Sequence, residues 1–568
     1  MGDTLTWTIA NCGLVMALVA FLSWRTARGA SDSRDSYFLA GRGLGATFIA
    51  GSLLLTNLSA EQMVGLNGSA YGYNLSSMAW EVTAAIATVA MAFVFLPRYL
   101  AGAFTTLPEF LAERFDGGTR QLSVLLFLLG YGLVTIPSVL YSGALAVMQF
   151  FDAPGLLGIG YVPALWVTVV IIGASGAAYA VFGGLKAVAV SDTLNGIGLL
   201  VIGLLVPILG LVALGGGDFL AGLSKLAADH PDKLNAIGAA DDPTPFGTLF
   251  TGMIFANLFY WCTNQYVIQR TLGARSLAEG QKGVLASGFF KLLVPFMMMI
   301  PGVIAFHLYG PGLATIDRAY PRLVEDVLPA WLSGVFLAVL LGAVFSSFNS
   351  LLNSAATLFT LDIWAPLKRQ IPDDRQLVRI AKRVSVVIAL ASFAVAPLLH
   401  YAEEGLWQIV RIFTGFYNIP TVAVVIVGLF TRRVPALGAK LAIVFHVIAY
   451  GLLRFVFDDI VTLHFIHLYA ILFVIEVGIM LAVGALRPRV EAYIPPHEQP
   501  VDMTPWRHAH STAFTLLSCV VALYVVFSPL GVAGAETIMP AATILAALLL
   551  ANIAVWAKPG LLRPRRRA

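Results

Sequence analysis

The seven residues Thr56-Asn57-Leu58-Ser59-Ala60-Glu61-Gln62 place amide, hydroxyl and carboxylate groups inside an otherwise apolar run, 44–68. That run is long enough to cross a bilayer, where no water satisfies polar groups. A polar interruption at such depth is tolerated where it is buried in protein or lines a wet cavity. In transporters, interrupted helices mark the place where solute and ion bind. Two other stretches have the same character. Asn257, Tyr260, Trp261, Thr263, Asn264 and Gln265 interrupt the run 246–264. Ser346, Ser347, Asn349, Ser350, Asn353 and Ser354 crowd the run 328–365. Spacings of three and four put Ser346, Asn349, Ser350 and Asn353 on one helical face. Hydroxyls, and the carbonyls that a broken helix frees, are the hard oxygen donors that Na+ takes.

Isolated charges add to these clusters: Glu81, Asp192, Lys291 and Arg411 all lie in apolar runs. Charges at bilayer depth are costly, so they are paired or functional. Trp80, Tyr260 and Trp261 stand beside the amides and offer flat faces suited to a sugar ring. Each group also has a plainer role. A lone Ser or Thr in a membrane helix ordinarily bonds its own backbone. Aromatic rings ordinarily pack against lipid or core, and Glu81 has Lys291 and Arg411 as structural partners.

The elements that carry these residues follow from composition. The chain is 58% hydrophobic and 12% charged, with a mean hydropathy of +0.84. Soluble globular proteins have roughly 25% charged residues, so an all-α integral membrane protein is expected. Its 568 residues give about fifteen transmembrane helices: 6–24, 44–68, 75–97, 121–150, 161–182, 186–213, 246–264, 284–309, 328–365, 378–399, 404–430, 436–457, 460–485, 511–529 and 538–557. Cys12, Cys262 and Cys519 lie in apolar runs without metal-ligand spacing. No phosphate-binding Gly-rich Lys-Ser/Thr motif points to an ATP-driven pump, and no His-Glu-x-x-His to a metalloprotease. Gly41, Gly43 and Gly45 follow no strand and do not suggest dinucleotide binding.

Basic residues set the expected orientation. With the N-terminus outside, cytoplasmic loops hold Arg25, Arg28, Arg34 and Arg42, Arg98, Arg114 and Arg120, the group Lys368 to Arg383, Arg432 and Arg433, and the tail Arg563 to Arg567. Outer loops keep Lys225, Lys233, Arg318 and Arg322. An odd number of spans and a cytoplasmic C-terminus follow.

The string Tyr37-Phe38-Leu39-Ala40-Gly41-Arg42, then Asn57-Leu58-Ser59-Ala60-Glu61-Gln62 and Gly65, resembles the sodium/solute symporter family. So do Asn257-Leu258-Phe259-Tyr260-Trp261 with Asn264-Gln265, Gln269-Arg270-Thr271-Leu272, Lys291 before Pro295, and Ser346-Ser347 through Leu361-Asp362. The likeness is to the bacterial sodium/glucose and sodium/galactose branch and covers roughly 35–435. It implies a LeuT-like fold of two inverted five-helix repeats, 44–213 and 246–430, whose first and sixth core helices are broken. A leading segment, 1–43, an outer loop, 214–245, and further helices with a basic tail, 431–568, complete the chain.

The resemblance also implies roles. The carbonyls of Leu55, Leu58 and Ala343 and the hydroxyls of Ser346 and Ser347 match the family's sodium site. Asn57, Gln62, Glu81, Asn257 and Lys291 match its sugar-binding polar residues. Tyr260 matches its inner gate, Trp261 a stacking neighbour, and Tyr131 a sugar-contacting aromatic, while Trp80 adjoins Glu81. Some members place a second sodium among groups such as Asp192, Asn349 and Ser350. The chain departs from the pattern at Arg411, where galactose-binding members have Gln, and in its final span, 538–557. The expected function is sodium-driven import of a sugar by alternating access. Alternatives are symport of a sugar acid held by Arg411 or Lys291, and a solute sensor that does not transport. A membrane enzyme would need a nucleophile–base pair or a metal cluster, and neither stands out.

Overall fold

The computed structural model describes residues 2–27, 43–102, 107–368, 374–402, 405–495, 501–534 and 539–558. Their regular elements are helices, with two isolated bridges, Leu44 to Ala274 and Ser276 to Asp502. Helix α1 (Gly2–Ala27) precedes a split pair, α2 (Ala46–Asn57) and α3 (Ala60–Gly72). Next come α4 (Leu75–Ala101), α5 (Gly117–Phe151) and α6 (Tyr161–Leu214). A second split pair follows, α7 (Gly252–Leu258) and α8 (Gln265–Leu272). Then come α9 (Leu277–Tyr309), α10 (Ala330–Leu367), α11 (Arg379–Tyr401), α12 (Gly405–Phe430), α13 (Ala436–Val456), α14 (Phe465–Leu486), α15 (Ala509–Val526) and α16 (Met539–Ala557).

Among the described residues, 11 helical segments are long and apolar enough to cross a membrane. They are α4, α5, the Leu194–Leu214 part of α6, and α9 to α16. The remaining runs of the expected fifteen fall short singly. The apolar stretches of α1 and of the first part of α6 are Thr6–Val19 and Tyr161–Ala177. The two split pairs are interrupted. The runs 161–182 and 186–213, expected as two helices, form one continuous helix. Gly183 and Gly184 weaken a helix by about 1 kcal/mol each but keep their N–H donors, unlike proline. An apolar surrounding offers the backbone no other partners. The Tyr37–Arg42 string and the tail beyond residue 558 lie outside the described residues.

Large apolar side chains cover the bundle's exterior, among them Val474, Leu549, Leu550 and Ile553, as a lipid-facing surface requires. Of the most apolar window of α12, 78% is buried in the protein, against 11% for α16. Helix α12 is therefore central and α16 peripheral. Helix α10 packs against α1, α5 and α6, and α9 against α2. Helices α13 and α14 pack on each other and on α12.

Both ends of α12 are held by polar side chains distant in sequence. At its N-terminus, Asp317 comes from the turn Ile316–Arg318 between α9 and α10. Its two oxygens accept the Leu406 N–H at 2.9 and 3.2 Å. Gly405 there has φ +82°, and a Cβ would stand 2.5 Å from the Ile316 side chain, so glycine is required. At the other end, Arg114 in the short helix Leu107–Arg114 donates to the carbonyls of Gly428 (2.9 Å), Thr431 (3.1 Å) and Val434 (3.1 Å). Helix ends leave just these donors and acceptors unsatisfied, and the Arg114 cation suits the C-terminal end of the helix dipole. Burial, with Arg489 beside it, lowers the Arg114 guanidinium to about 10, which leaves it charged at neutral pH.

Candidate functional site

The first interruption lies between α2 and α3, where Leu58 (φ −77°, ψ 106°) and Ser59 (φ −129°, ψ 158°) are extended. The second follows the π-helical turn Phe259–Thr263, where Asn264 (φ −75°, ψ 117°) is extended before α8. Another π turn, Tyr131–Thr135, lies in α5. Such turns widen the helix by one residue and often occur at functional positions. Here they carry Tyr131, Tyr260 and Trp261.

Side chains join the two interruptions. Asn57 Nδ2 donates to the Tyr260 hydroxyl at 2.7 Å. Beside them, Glu81 on α4 forms a buried cluster. Its Oε1 accepts from Gln62 Nε2 at 3.1 Å, and its Oε2 accepts a close hydrogen bond from Lys291 Nζ of α9. Lys291 also lies 5.9 Å from the Trp261 ring centroid, and Trp261 meets Tyr260 edge-on at 5.8 Å. The Arg411 guanidinium, on α12, stands over the Trp80 ring at 4.8 Å and the Trp407 ring at 3.9 Å. Arg411 thus faces Trp80, the neighbour of Glu81. The Tyr131 hydroxyl is 3.5 Å from Asn264 Oδ1. Asn257 is engaged elsewhere: its amide donates to the Thr83 hydroxyl at 3.0 Å and the Met253 carbonyl at 3.4 Å.

Several polar atoms around this cluster are shielded from solvent and make no hydrogen bond among the described residues: Asn57 Oδ1, Glu61 Oε2, Gln62 Oε1, Trp80 Nε1 and Arg411 Nε. Buried polar groups are normally satisfied, so a concentration of unsatisfied ones at a helix break is unusual. A cavity of about 10 Å³ opens beside Asn57, Trp261 and Lys291. That is about the space of one water molecule; a hexose needs the surrounding helices to part.

For the positions matched to a sodium site, helix geometry leaves the Leu55 carbonyl in the last turn of α2 without an intrahelical donor; the Leu55 side chain lies outside the described residues. Leu58 and Ala343 are buried, while Ser346 and Ser347 are half-buried on α10, which packs against α3. Ser142, Ser287 and Ser392 bond back to carbonyls three or four residues earlier. The Ser346 and Ser347 hydroxyls make no hydrogen bond among the described residues. Asn349 is buried and both its amide atoms lack partners among the described residues, whereas Ser350 and Asn353 are exposed, so the polar face of α10 does not share one environment. The Asp192 side chain lies outside the described residues. Among the described residues, no group of three or more His, Cys, Asp or Glu side chains could hold a metal.

Several neighbours of the site had no signal of their own in the sequence. Trp407 was detectable only as the residue one helical turn before Arg411. Thr83, Tyr450 and Tyr469 gave no sign, because their partners lie on other helices.

A helical membrane bundle whose two split helices meet through polar side chains has the build of a secondary transporter. The sodium:solute symporter family matches residues 37–445 of this sequence. The chain is 43% identical over 514 residues to YidK, an uncharacterised symporter of Escherichia coli K12, covering 90% of this chain and 89% of that one. It is 32% identical over 445 residues to the sodium/glucose cotransporter of Vibrio parahaemolyticus, covering 74% and 79%. Its fold superposes on that of a sodium-coupled sialic acid symporter in a substrate-bound, outward-open state. That match has a TM-score of 0.70 and 21% identity, over 86% of this chain and 99% of that one. The chain belongs to the sodium:solute symporter family. It is a transporter and not an enzyme, and sodium is its coupling ion.

Proposed function

We propose that the chain imports a sugar or close relative across a bacterial inner membrane, driven by sodium moving inward. The observation that carries this reading is the joining of both split helices to one polar cluster, through Asn57–Tyr260 and Gln62–Glu81–Lys291. Sugar hydroxyls would be read by Asn57, Gln62, Glu81 and Lys291, and ring faces by Trp80, Trp261 and Tyr131. Tyr260 would close the path inward. Asn257 would join them through its amide oxygen, since its N–H groups are held by Thr83 and the Met253 carbonyl. Relatives named for glucose and myo-inositol support a polyhydroxylated solute.

In this reading sodium binds the carbonyls of Leu55, Leu58 and Ala343 and the hydroxyls of Ser346 and Ser347. The free state of those two hydroxyls supports it. A second ion at Asp192, Asn349 and Ser350 is a further part of the proposal, supported at Asn349 by its unpartnered amide. Sodium ordering of the split helix would preform the solute pocket, and the coupling would be reciprocal. The repeats 44–213 and 246–430 would rock against each other, with the N-terminus outside and the C-terminus in the cytoplasm. The segments 1–43, 214–245 and 431–568 would lie outside that moving unit. One charge crossing 100 mV supplies about 2.3 kcal/mol to drive uptake. Counterflow of labelled sugars in proteoliposomes, with and without sodium, tests the reading. A sensor would bind without counterflow.

A further inference from the structure

We propose that Arg411 selects the solute by charge, so that the pocket takes a sugar-sized organic anion whose carboxylate binds the guanidinium. This rests on the sugar-symport reading and narrows its substrate class. The guanidinium is held by its contacts with the Trp407 and Trp80 rings, at 3.9 and 4.8 Å. Stacking on aromatic faces fixes an arginine without using its N–H groups, which lie in the guanidinium plane. No described residue accepts a hydrogen bond from those groups, and Nε is shielded from solvent.

Two acids face this cation. Glu81 is already committed to Lys291 and Gln62. Glu61, in the first turn of α3, does not reach ion-pair distance, and its Oε2 is itself unpartnered. The two cations of the pocket therefore differ. Lys291 is neutralised by the protein, while Arg411 waits for an acceptor. Arg411 is half-buried and its shielded Nε has no partner among the described residues; a ligand carboxylate that accepts two parallel N–H bonds from the guanidinium fork would supply the missing acceptor. A neutral hexose offers hydroxyls but no charge.

Arg411 is also fixed from behind. The Tyr469 hydroxyl donates to its backbone carbonyl at 2.5 Å, and the Tyr450 hydroxyl to the Ile412 carbonyl at 2.8 Å. His446 Nε2 meets the Gly415 carbonyl at 3.1 Å, while its Nδ1 pairs with Glu476. Side chains from α13 and α14 thus grip the carbonyls of Arg411, Ile412 and Gly415, in the turn that presents the guanidinium. This is the support that a binding residue needs to hold its geometry.

The test uses the full-length protein in proteoliposomes with an inward sodium gradient. Labelled glucuronate, galacturonate and gluconate are compared with glucose and galactose, and sodium-dependent thermal stabilisation by each is measured in detergent. At least one acid should be taken up ten times faster than its neutral counterpart and should stabilise the protein more. Arg411→Gln should abolish that preference, and Arg411→Lys, which keeps the charge but not the fork, should retain part of it. Sodium-coupled uptake of neutral sugars in preference to every acid would overturn the inference and leave the sugar-symport reading standing. Equal loss of acids and neutral sugars in both variants, with the wild-type order unchanged, would make Arg411 structural and also overturn it. Absence of sodium-dependent uptake and stabilisation for the whole panel would end both readings together.

Discussion

Asp317 grips the Leu406 backbone N–H with both carboxylate oxygens, at 2.9 and 3.2 Å, from a turn between two spans. Burial pushes this carboxyl from 3.8 up to about 7, with the Leu406 N–H acting against the rise. A carboxyl whose pKa is higher in the folded state binds its proton more tightly there. Its contribution to stability is full below about pH 4 and is lost as pH rises toward about 7, a difference on the order of 4 kcal/mol. Purified protein should melt at a lower temperature at pH 7.5 than at pH 5. Asp317→Asn keeps an acceptor and removes the titration, so its melting profile over this range should be flatter. Identical profiles would show that another group controls the pH response.

The buried Glu81–Lys291 pair predicts a strong thermodynamic coupling. Lys291→Met leaves a buried carboxylate without its cation and should cost about 3–5 kcal/mol. Adding Glu81→Gln to that variant should recover most of the loss. Denaturation of the four proteins in detergent measures the coupling, and simple additivity would argue that the two charges act independently.

Ser347→Ala should raise the sodium concentration for half-maximal uptake about tenfold or more, the effect of losing roughly 1.4 kcal/mol of ion binding. The amount of inserted protein should not change. Unaltered sodium dependence would remove Ser347 from the ion's shell.

The contact between α3 and α9 predicts a difference between two glycines. A Cβ on Gly302 would lie 2.2 Å from the Asn67 carbonyl oxygen, a backbone atom that cannot yield without moving α3. A Cβ on Gly51 meets nothing within 4 Å. Gly302→Ala should cost about 1–3 kcal/mol and impair uptake, and Gly51→Ala should do neither. Comparable melting temperatures for the two variants would contradict this packing.

Much of the architecture is readable from local pattern. The split after Asn57 is visible because amides and a carboxylate interrupt an apolar run, and the one at Asn264 is visible for the same reason. Long apolar runs such as 404–430 match their helices closely because a membrane span needs little beyond length and composition. The continuous helix through 183–184 was not readable, since a Gly pair marks a weak point without deciding whether the chain turns there. At the site, Glu81, Lys291 and Arg411 announce themselves as charges in apolar sequence, but their pairing does not. Nothing local says that Glu81 takes Lys291, 210 residues away, and leaves Arg411 free. The engagement of Asn257 with Thr83 and the Asp317 clamp on a backbone N–H are hidden for the same reason. Each depends on which helices become neighbours.

The grip of Arg114 on the far end of α12 has a consequence for how the protein is made. The guanidinium leaves the ribosome 314 residues before the Gly428 carbonyl that accepts its Nε–H. At 5–20 residues per second, that interval is roughly 15–60 s. Throughout it the short helix Leu107–Arg114 carries a charge with no acceptors from α12. It must stay hydrated at the membrane surface while more than half of the chain is inserted. Docking of α12 is then a late assembly event that closes around a waiting arginine. A nascent chain stopped before residue 428 should hold Arg114 open to water-soluble modifying reagents, and one released beyond residue 434 should not.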